Sequence, residues 1–100
     1  MDELVRKFES VLVQGDTKLA QGDYEGAYQN YLDALLILAT AVVYRDTGML
    51  VSPDKLPGFL GAYPQLKEAV ERYPLLEVSD ETVKAFREDL EKIRGLIEES

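Results

Sequence analysis

The sequence predicts an all-α protein, a compact bundle of four or five helices built on an antiparallel hairpin. Apolar residues recur at steps of three and four along four segments, which is the spacing of one helix face. No convincing run alternates apolar and polar residues as a half-buried strand would. Glycine, proline and aspartate fall between the segments, where they end one helix and begin the next. Because 100 residues is the length of one domain, we expect a single helical domain over 1–100.

The first two predicted helices form the hairpin. The first covers about residues 2–20 and carries Gly15 on its apolar face, where another backbone is expected to come close. Gly22 suits a left-handed C-cap, and Asp23 suits the N-cap that follows. The second helix covers about 24–46 and is apolar around most of its circumference, so we expect it to be the central helix. Its remaining sector is a narrow polar strip, formed by Gln29, Asn30, Asp33 and Thr40.

The second half of the chain is less regular. Residues 47–63 mix apolar side chains with prolines and glycines, which indicates a packed loop laid across the bundle. A short third helix over about 64–73 ends before Pro74, because the residue before a proline is pushed out of the helical region. The last helix is predicted over about 79–98. Its heptad-like apolar stripe packs within the chain or forms a seam with a second copy.

The composition excludes several kinds of chemistry. The chain has no cysteine and no histidine, so it has no disulfides, thiolate nucleophiles, Cys/His zinc sites or imidazole acid–base groups. A net charge of −8 repels phosphate backbones and anionic lipid. The longest apolar run, Ala34 to Tyr44, is too short to cross a bilayer. We therefore expect a cytoplasmic protein that is not an enzyme, holds no cofactor or metal, and neither binds nucleic acid directly nor inserts into membranes.

Residues 11–38 resemble a tetratricopeptide (TPR) repeat. Small and aromatic residues stand at the spacing of that repeat, namely Gly15, Gly22-Asp23-Tyr24, Ala27, Tyr31, Ala34 and Leu35. The pattern is incomplete at Val11, Gln14, Lys18 and Ala39, and it does not recur about 34 residues later, so a single hairpin rather than a solenoid is expected. The resemblance implies that Tyr24 and Tyr31 fill the space between the two helices.

Two families of small helical domains have a similar hairpin. The chain resembles MIT domains, which bind helical tails of membrane-remodelling proteins, in its long second helix after a Gly-Asp-Tyr turn. It resembles HEPN domains in its order of long hairpin, apolar loop and further helices. Catalytic HEPN proteins depend on an arginine followed by a histidine, so the lack of histidine restricts any HEPN kinship to non-nucleolytic members.

These features predict a protein-interaction module or a small subunit of a larger assembly. A helical or extended segment of a partner, preferably basic because the chain is acidic, would lie against exposed apolar ridges. The residues expected to make these contacts are Tyr28, Leu50, Phe59 and Tyr63, and a homodimer is a second form of partnership that we consider. Two alternatives stay open. One is an HEPN-like accessory domain of a nucleic-acid-processing system, and the other is a metal-dependent enzyme that uses carboxylates alone, although the acids at 80–81 and 88–91 are expected to be solvated.

Overall fold

A computed structural model describes residues 2–99, so positions 1 and 100 of the predicted domain lie outside the described range. Within this range the chain forms four α-helices and two short 3-10 helices, which are joined by loops. In chain order the elements are α1 (Asp2–Ala20), α2 (Tyr24–Thr47), a first 3-10 helix (Pro53–Phe59), α3 (Pro64–Arg72), a second 3-10 helix (Tyr73–Leu75) and α4 (Asp80–Glu99). No strand occurs in residues 2–99, so the all-α bundle predicted from the sequence is confirmed. Within the same range, no helix has the length and apolar character needed to cross a membrane.

The connection between α1 and α2 has the predicted caps. Gly22 has a φ of 80°, in the left-handed region that favours glycine, and its N–H donates to the carbonyl of Leu19 at 3.0 Å. The Asp23 carboxylate accepts a hydrogen bond from the N–H of Gly26 at 2.9 Å, which satisfies one of the free donors at the start of α2. The turn therefore reverses the chain within three residues.

Helix α2 lies at the centre of the bundle. It contacts α1, α3, α4 and the first 3-10 helix, as expected for a helix that is apolar on most sides. Along its seam with α1, small residues such as Ala27 and Ala34 are completely buried and allow the two helices to approach closely. Gly48 ends α2 in a left-handed conformation, and its N–H donates to the carbonyl of Tyr44 at 2.8 Å.

Gly15 is buried in this seam, but the prediction of a close backbone neighbour is wrong. The group that comes close is the ring of Tyr31. A Cβ atom at position 15 would lie 2.6 Å from Cε1 of that ring and 3.2 Å from Cβ of Asn30. The absence of a side chain at Gly15 therefore makes room for the ring of Tyr31.

Two predicted polar or packing positions also differ in the structure. Asn30 belongs to the predicted polar strip but is only 8% exposed, because it faces α1 near Gly15. Tyr24 was expected to fill the hairpin with Tyr31; it is exposed, since it is the first residue of α2 and lies at the tip of the hairpin. Tyr31 is fully buried, as the TPR spacing implies.

The segment predicted as a packed loop over 47–63 is packed at some residues only. Its middle forms the first 3-10 helix, from which Leu56 points into the core, and Leu60 follows it there; both are completely buried. Met49, Leu50 and Phe59 are exposed. The buried pair anchors the segment to α2, and the exposed residues leave an apolar surface beside it.

The last two α-helices close the core around one aromatic ring. Ser79 accepts a hydrogen bond from the N–H of Thr82 at 3.1 Å and so caps α4 as expected. From α4, the fully buried Phe86 stacks on Tyr73 with ring centres 3.9 Å apart, and it meets Tyr28 and Tyr31 edge-on. This aromatic cluster joins α2, α4 and the second 3-10 helix.

Candidate functional site

Tyr28 is not an exposed contact residue, so its prediction as a partner-binding group is wrong. Its side chain is 2% exposed and packs edge-on against Phe86. Its hydroxyl donates to the backbone carbonyl of Tyr73, and burial raises its pKa above the ordinary value. The side of α2 that carries Tyr28 is covered by α4 and the second 3-10 helix, which a pattern within α2 alone does not reveal.

The other three predicted contact residues lie in different surroundings. Leu50 is 72% exposed and Phe59 is 43% exposed, so both can be reached by a partner. Tyr63 is half-buried, and its hydroxyl accepts from the Arg45 guanidinium at 2.5 Å while donating to the Asp46 carboxylate at 2.8 Å. The role of Leu50, Phe59 and Tyr63 as contacts stays a prediction.

A small concavity lies where α1, α2 and α4 meet, and we call it the end pocket. Its volume is about 130 Å³. The lining is mainly apolar and comes from Leu4, Val5, Phe8, Leu38, Ala41, Val42 and Ile97, together with the charged residues Glu9, Arg45, Arg94 and Glu98. Most of the apolar lining residues are buried, whereas Val5 is 45% exposed and lies at the opening of the pocket.

The two cations of the end pocket are already engaged within the chain. Arg94 lies 3.1 Å from Glu9 and 2.8 Å from Glu91, and its guanidinium is 5.7 Å from the centre of the Phe8 ring. Arg45 lies 3.1 Å from Asp46 and donates to the carbonyl of Ile97 at 3.4 Å. Of the four charged lining residues, Glu98 alone has no described ion pair, so the free charge at the opening is negative.

A second, wider concavity follows the other side of α1, and we call it the hairpin groove. It encloses about 460 Å³. The α1 wall is formed by Leu4, Lys7 and Val11, the α2 wall by Asp33, Leu36, Ile37 and Thr40, and Pro53 lines it as well. An adjoining hollow shares Leu4 and Lys7 with the groove and adds Glu3, Tyr44 and Leu50. The predicted contact residue Leu50 thus belongs to a larger apolar surface.

Three polar clusters connect the elements of the bundle, and each contains one tyrosine, one aspartate and one arginine. The sequence did not predict them. In the first cluster, Asp16 of α1 accepts from the Tyr31 hydroxyl at 2.5 Å and from the Arg87 Nε of α4 at 2.8 Å. Burial raises the pKa of Tyr31, and its hydrogen bond to Asp16 raises it further. Arg87 also donates to Glu91 at 2.8 Å, and this bond lowers the pKa of the Glu91 carboxyl.

The second and third clusters repeat this arrangement elsewhere in the bundle. In the second cluster, the Asp89 carboxylate of α4 accepts a hydrogen bond from the Tyr73 hydroxyl and lies 3.3 Å from the guanidinium of Arg72 in α3. The third is the group of Tyr63, Arg45 and Asp46 described above. No short motif could have revealed the first cluster, since Asp16 and Arg87 are 71 residues apart. Of the acids at 88–91 that were expected to be solvated, Glu88 and Glu91 are exposed, while Asp89 and Glu91 also pair with arginines.

The arrangement of acidic groups bears on the carboxylate-only alternative. Among the described side chains, no three or more aspartates or glutamates are positioned to hold a metal ion together. Asp89 and Glu91 face arginines instead of one another. Both concavities are lined mainly by apolar side chains.

Comparison with known proteins gives no relative for this chain: no family model, curated protein or solved structure matches it.

Proposed function

We propose that the protein is a non-catalytic interaction module, or a small subunit of a larger assembly, that receives an apolar side chain from a partner helix in the end pocket. The observation that carries the proposal is an apolar pocket, open to solvent at Val5, in a domain of 100 residues. Protein interiors are close-packed and hold few voids larger than a water molecule. An apolar cavity of roughly 150 Å³ can hold a group the size of benzene, so about 130 Å³ suits one leucine or phenylalanine side chain.

The charges around the pocket favour a basic partner. Arg45 and Arg94 are neutralised by Asp46 and Glu9, which leaves the Glu98 carboxylate free at the opening. The whole chain carries a net charge of −8. A helix with an apolar residue flanked by lysine or arginine would therefore be steered toward the pocket and would associate faster at low salt.

The family resemblances support the same interpretation. MIT domains bind helical tails, and the end pocket here lies between the same two hairpin helices and α4. Of the TPR-like stretch 11–38, Leu38 lines the pocket. We propose kinship with such single-hairpin domains. We also propose a cytoplasmic location, because a chain without cysteine suits a reducing compartment; fluorescence microscopy of the tagged protein would test it.

The test compares two exposed valines on α1. Val5 lines the end pocket and is 45% exposed, whereas Val13 is 62% exposed and lies outside both concavities. Immobilised wild type, V5E and V13E would be incubated with lysate of the source organism, and bound proteins would be identified by mass spectrometry. We expect wild type and V13E to retain a common partner that V5E loses at least tenfold.

A follow-up measurement uses the binding segment of that partner as a synthetic peptide. Titration calorimetry should show one site, with an affinity that falls as salt rises and falls further in E98K. Circular dichroism of each variant checks that the helices persist. If V5E retained the same proteins as V13E, the end pocket would not be the binding site and the proposal would fail.

A further inference from the structure

The hairpin groove is an apolar surface on a different side of α1 from the end pocket. Its walls come from α1 and α2, and its four larger apolar side chains, Leu4, Val11, Leu36 and Ile37, are each only partly buried. The adjoining hollow extends it to Leu50, which is 72% exposed. Covering the groove would remove this apolar area from water, which is the main driving force for association.

The charges on the groove distinguish it from the rest of the protein surface. Lys7 stands on the α1 wall and Asp33 on the α2 wall, and neither forms an ion pair with any described residue. The two charges cancel within the groove and Glu3 of the adjoining hollow adds one negative charge, whereas the chain as a whole carries −8. Two copies of an acidic chain repel one another at most orientations, so a locally balanced apolar surface is where they can meet.

We propose that the hairpin groove binds a second copy of this chain in a two-fold symmetric dimer. In such a dimer the same surface is used twice, so every contact from residue i to residue j also occurs from j to i. A two-fold axis that passes midway between Lys7 and Asp33, at right angles to the line joining them, brings each Lys7 beside the other copy's Asp33. The interface then has two equivalent ion pairs around a centre of Val11, Leu36 and Ile37.

This proposal is independent of the function proposed for the end pocket. The hairpin groove shares with that pocket only Leu4, and a dimer formed here leaves Val5 and Glu98 at the opening of the end pocket. Failure of the dimer would leave the V5E experiment unaffected. Failure of the V5E experiment would likewise leave the dimer standing.

The experiment exchanges the two charges. Wild type, K7E and D33K would be compared by sedimentation equilibrium over about 10 µM to 1 mM, a range suited to a small, weak interface. We expect wild type to dimerise and each single variant to weaken the dimer about tenfold or more, since each substitution turns two attractions into two repulsions. The double variant K7E/D33K should restore the dimer.

A mixture of the two single variants gives a sharper result. In K7E both groove charges are negative, and in D33K both are positive, so an equimolar mixture should form a heterodimer that native mass spectrometry can detect. The double variant has the same net charge as wild type, which removes overall repulsion as an explanation for its behaviour. K67E changes the net charge as much as K7E does, at an exposed lysine of α3, and should leave the dimer intact.

Three outcomes would overturn the proposal. Wild type could remain a monomer at the highest concentration. The single variants could remain dimers as stable as wild type while circular dichroism shows them folded. The double variant and the mixture could both stay monomeric, which would show that Lys7 and Asp33 do not meet across the interface.

Discussion

Replacing Gly15 with alanine should destabilise the protein, although the same change stabilises most helix interiors. Gly15 lies within α1, where alanine is worth about 1 kcal/mol more than glycine in helix propensity. The added Cβ, however, would lie 2.6 Å and 2.9 Å from two carbons of the Tyr31 ring. Carbon atoms in contact are normally about 3.5–4.0 Å apart, so either the ring or α1 has to move.

The ring of Tyr31 has little freedom to move. It is completely buried, its edge meets Phe86 with ring centres 6.1 Å apart, and its hydroxyl is bonded to Asp16, which Arg87 also holds. Extra methyl groups in a well-packed core cost about 1–3 kcal/mol. Subtracting the gain in helix propensity of about 1 kcal/mol leaves a net loss of up to about 2 kcal/mol, and each kcal/mol lowers the Tm by about 4–8 °C in a domain of this size.

Gly95 provides the matched control. It lies within α4, has no positive φ, and a Cβ there would meet nothing within 4 Å. G95A should therefore gain up to about 1 kcal/mol. Urea and thermal unfolding of wild type, G15A and G95A would measure both changes. If G15A proved as stable as wild type or more so, the packing of Tyr31 against α1 would be looser than described, and the reasoning would be refuted.

Three further predictions concern the ion pairs and the aromatic cluster. Arg87 lowers the folded-state pKa of Glu91, so the ionised Glu91 carboxylate stabilises the fold fully above the ordinary pKa of 4.5, and this stabilisation is lost as the pH falls through the folded-state pKa. In a plot of the urea midpoint against pH, E91Q should therefore show a shallower slope on the acid side than wild type. An unchanged slope would contradict the pairing. Tyr31 and Tyr73 have raised pKa values, so their contribution is complete below pH 10 and is lost as the pH rises further; their tyrosinate absorbance should appear together with unfolding, and an earlier rise would argue against their burial. Phe86→Ala should cost about 3–5 kcal/mol in urea unfolding, and a loss under about 1 kcal/mol would show that the aromatic cluster is not central to the core.

The helices and their caps could be predicted because their signals are local. The spacing of apolar residues sets each helix face, and Gly22, Asp23 and Ser79 act on backbone groups within three residues of themselves. The resemblance to a TPR repeat implied the burial of both Tyr31 and Tyr24, and it is right for Tyr31 alone. These interactions depend on a few neighbouring residues, so a single sequence contains what is needed.

The candidate surfaces were harder to predict, because they depend on elements distant in the chain. Tyr28 and Tyr24 are four residues apart on one ridge of α2, yet the first is covered by α4 and the second is exposed. The Asp16–Arg87 pair joins the first helix to the last. The end pocket needs α1, α2 and α4 in their final positions before it exists. Leu50 and Phe59 are exposed as expected, because both belong to an irregular segment, while their role as contacts stays a prediction.

The position of Phe86 has a consequence for synthesis of the protein. Helix α4 leaves the ribosome after the hairpin, and the ring of Phe86 completes the packing of Tyr28 and Tyr31. A nascent chain that has released only the hairpin therefore displays those two rings to water, and at about 5–20 residues per second the delay lasts several seconds. During this interval the hairpin would be a substrate for chaperones, and a product that stopped before α4 would be prone to aggregation and proteolysis.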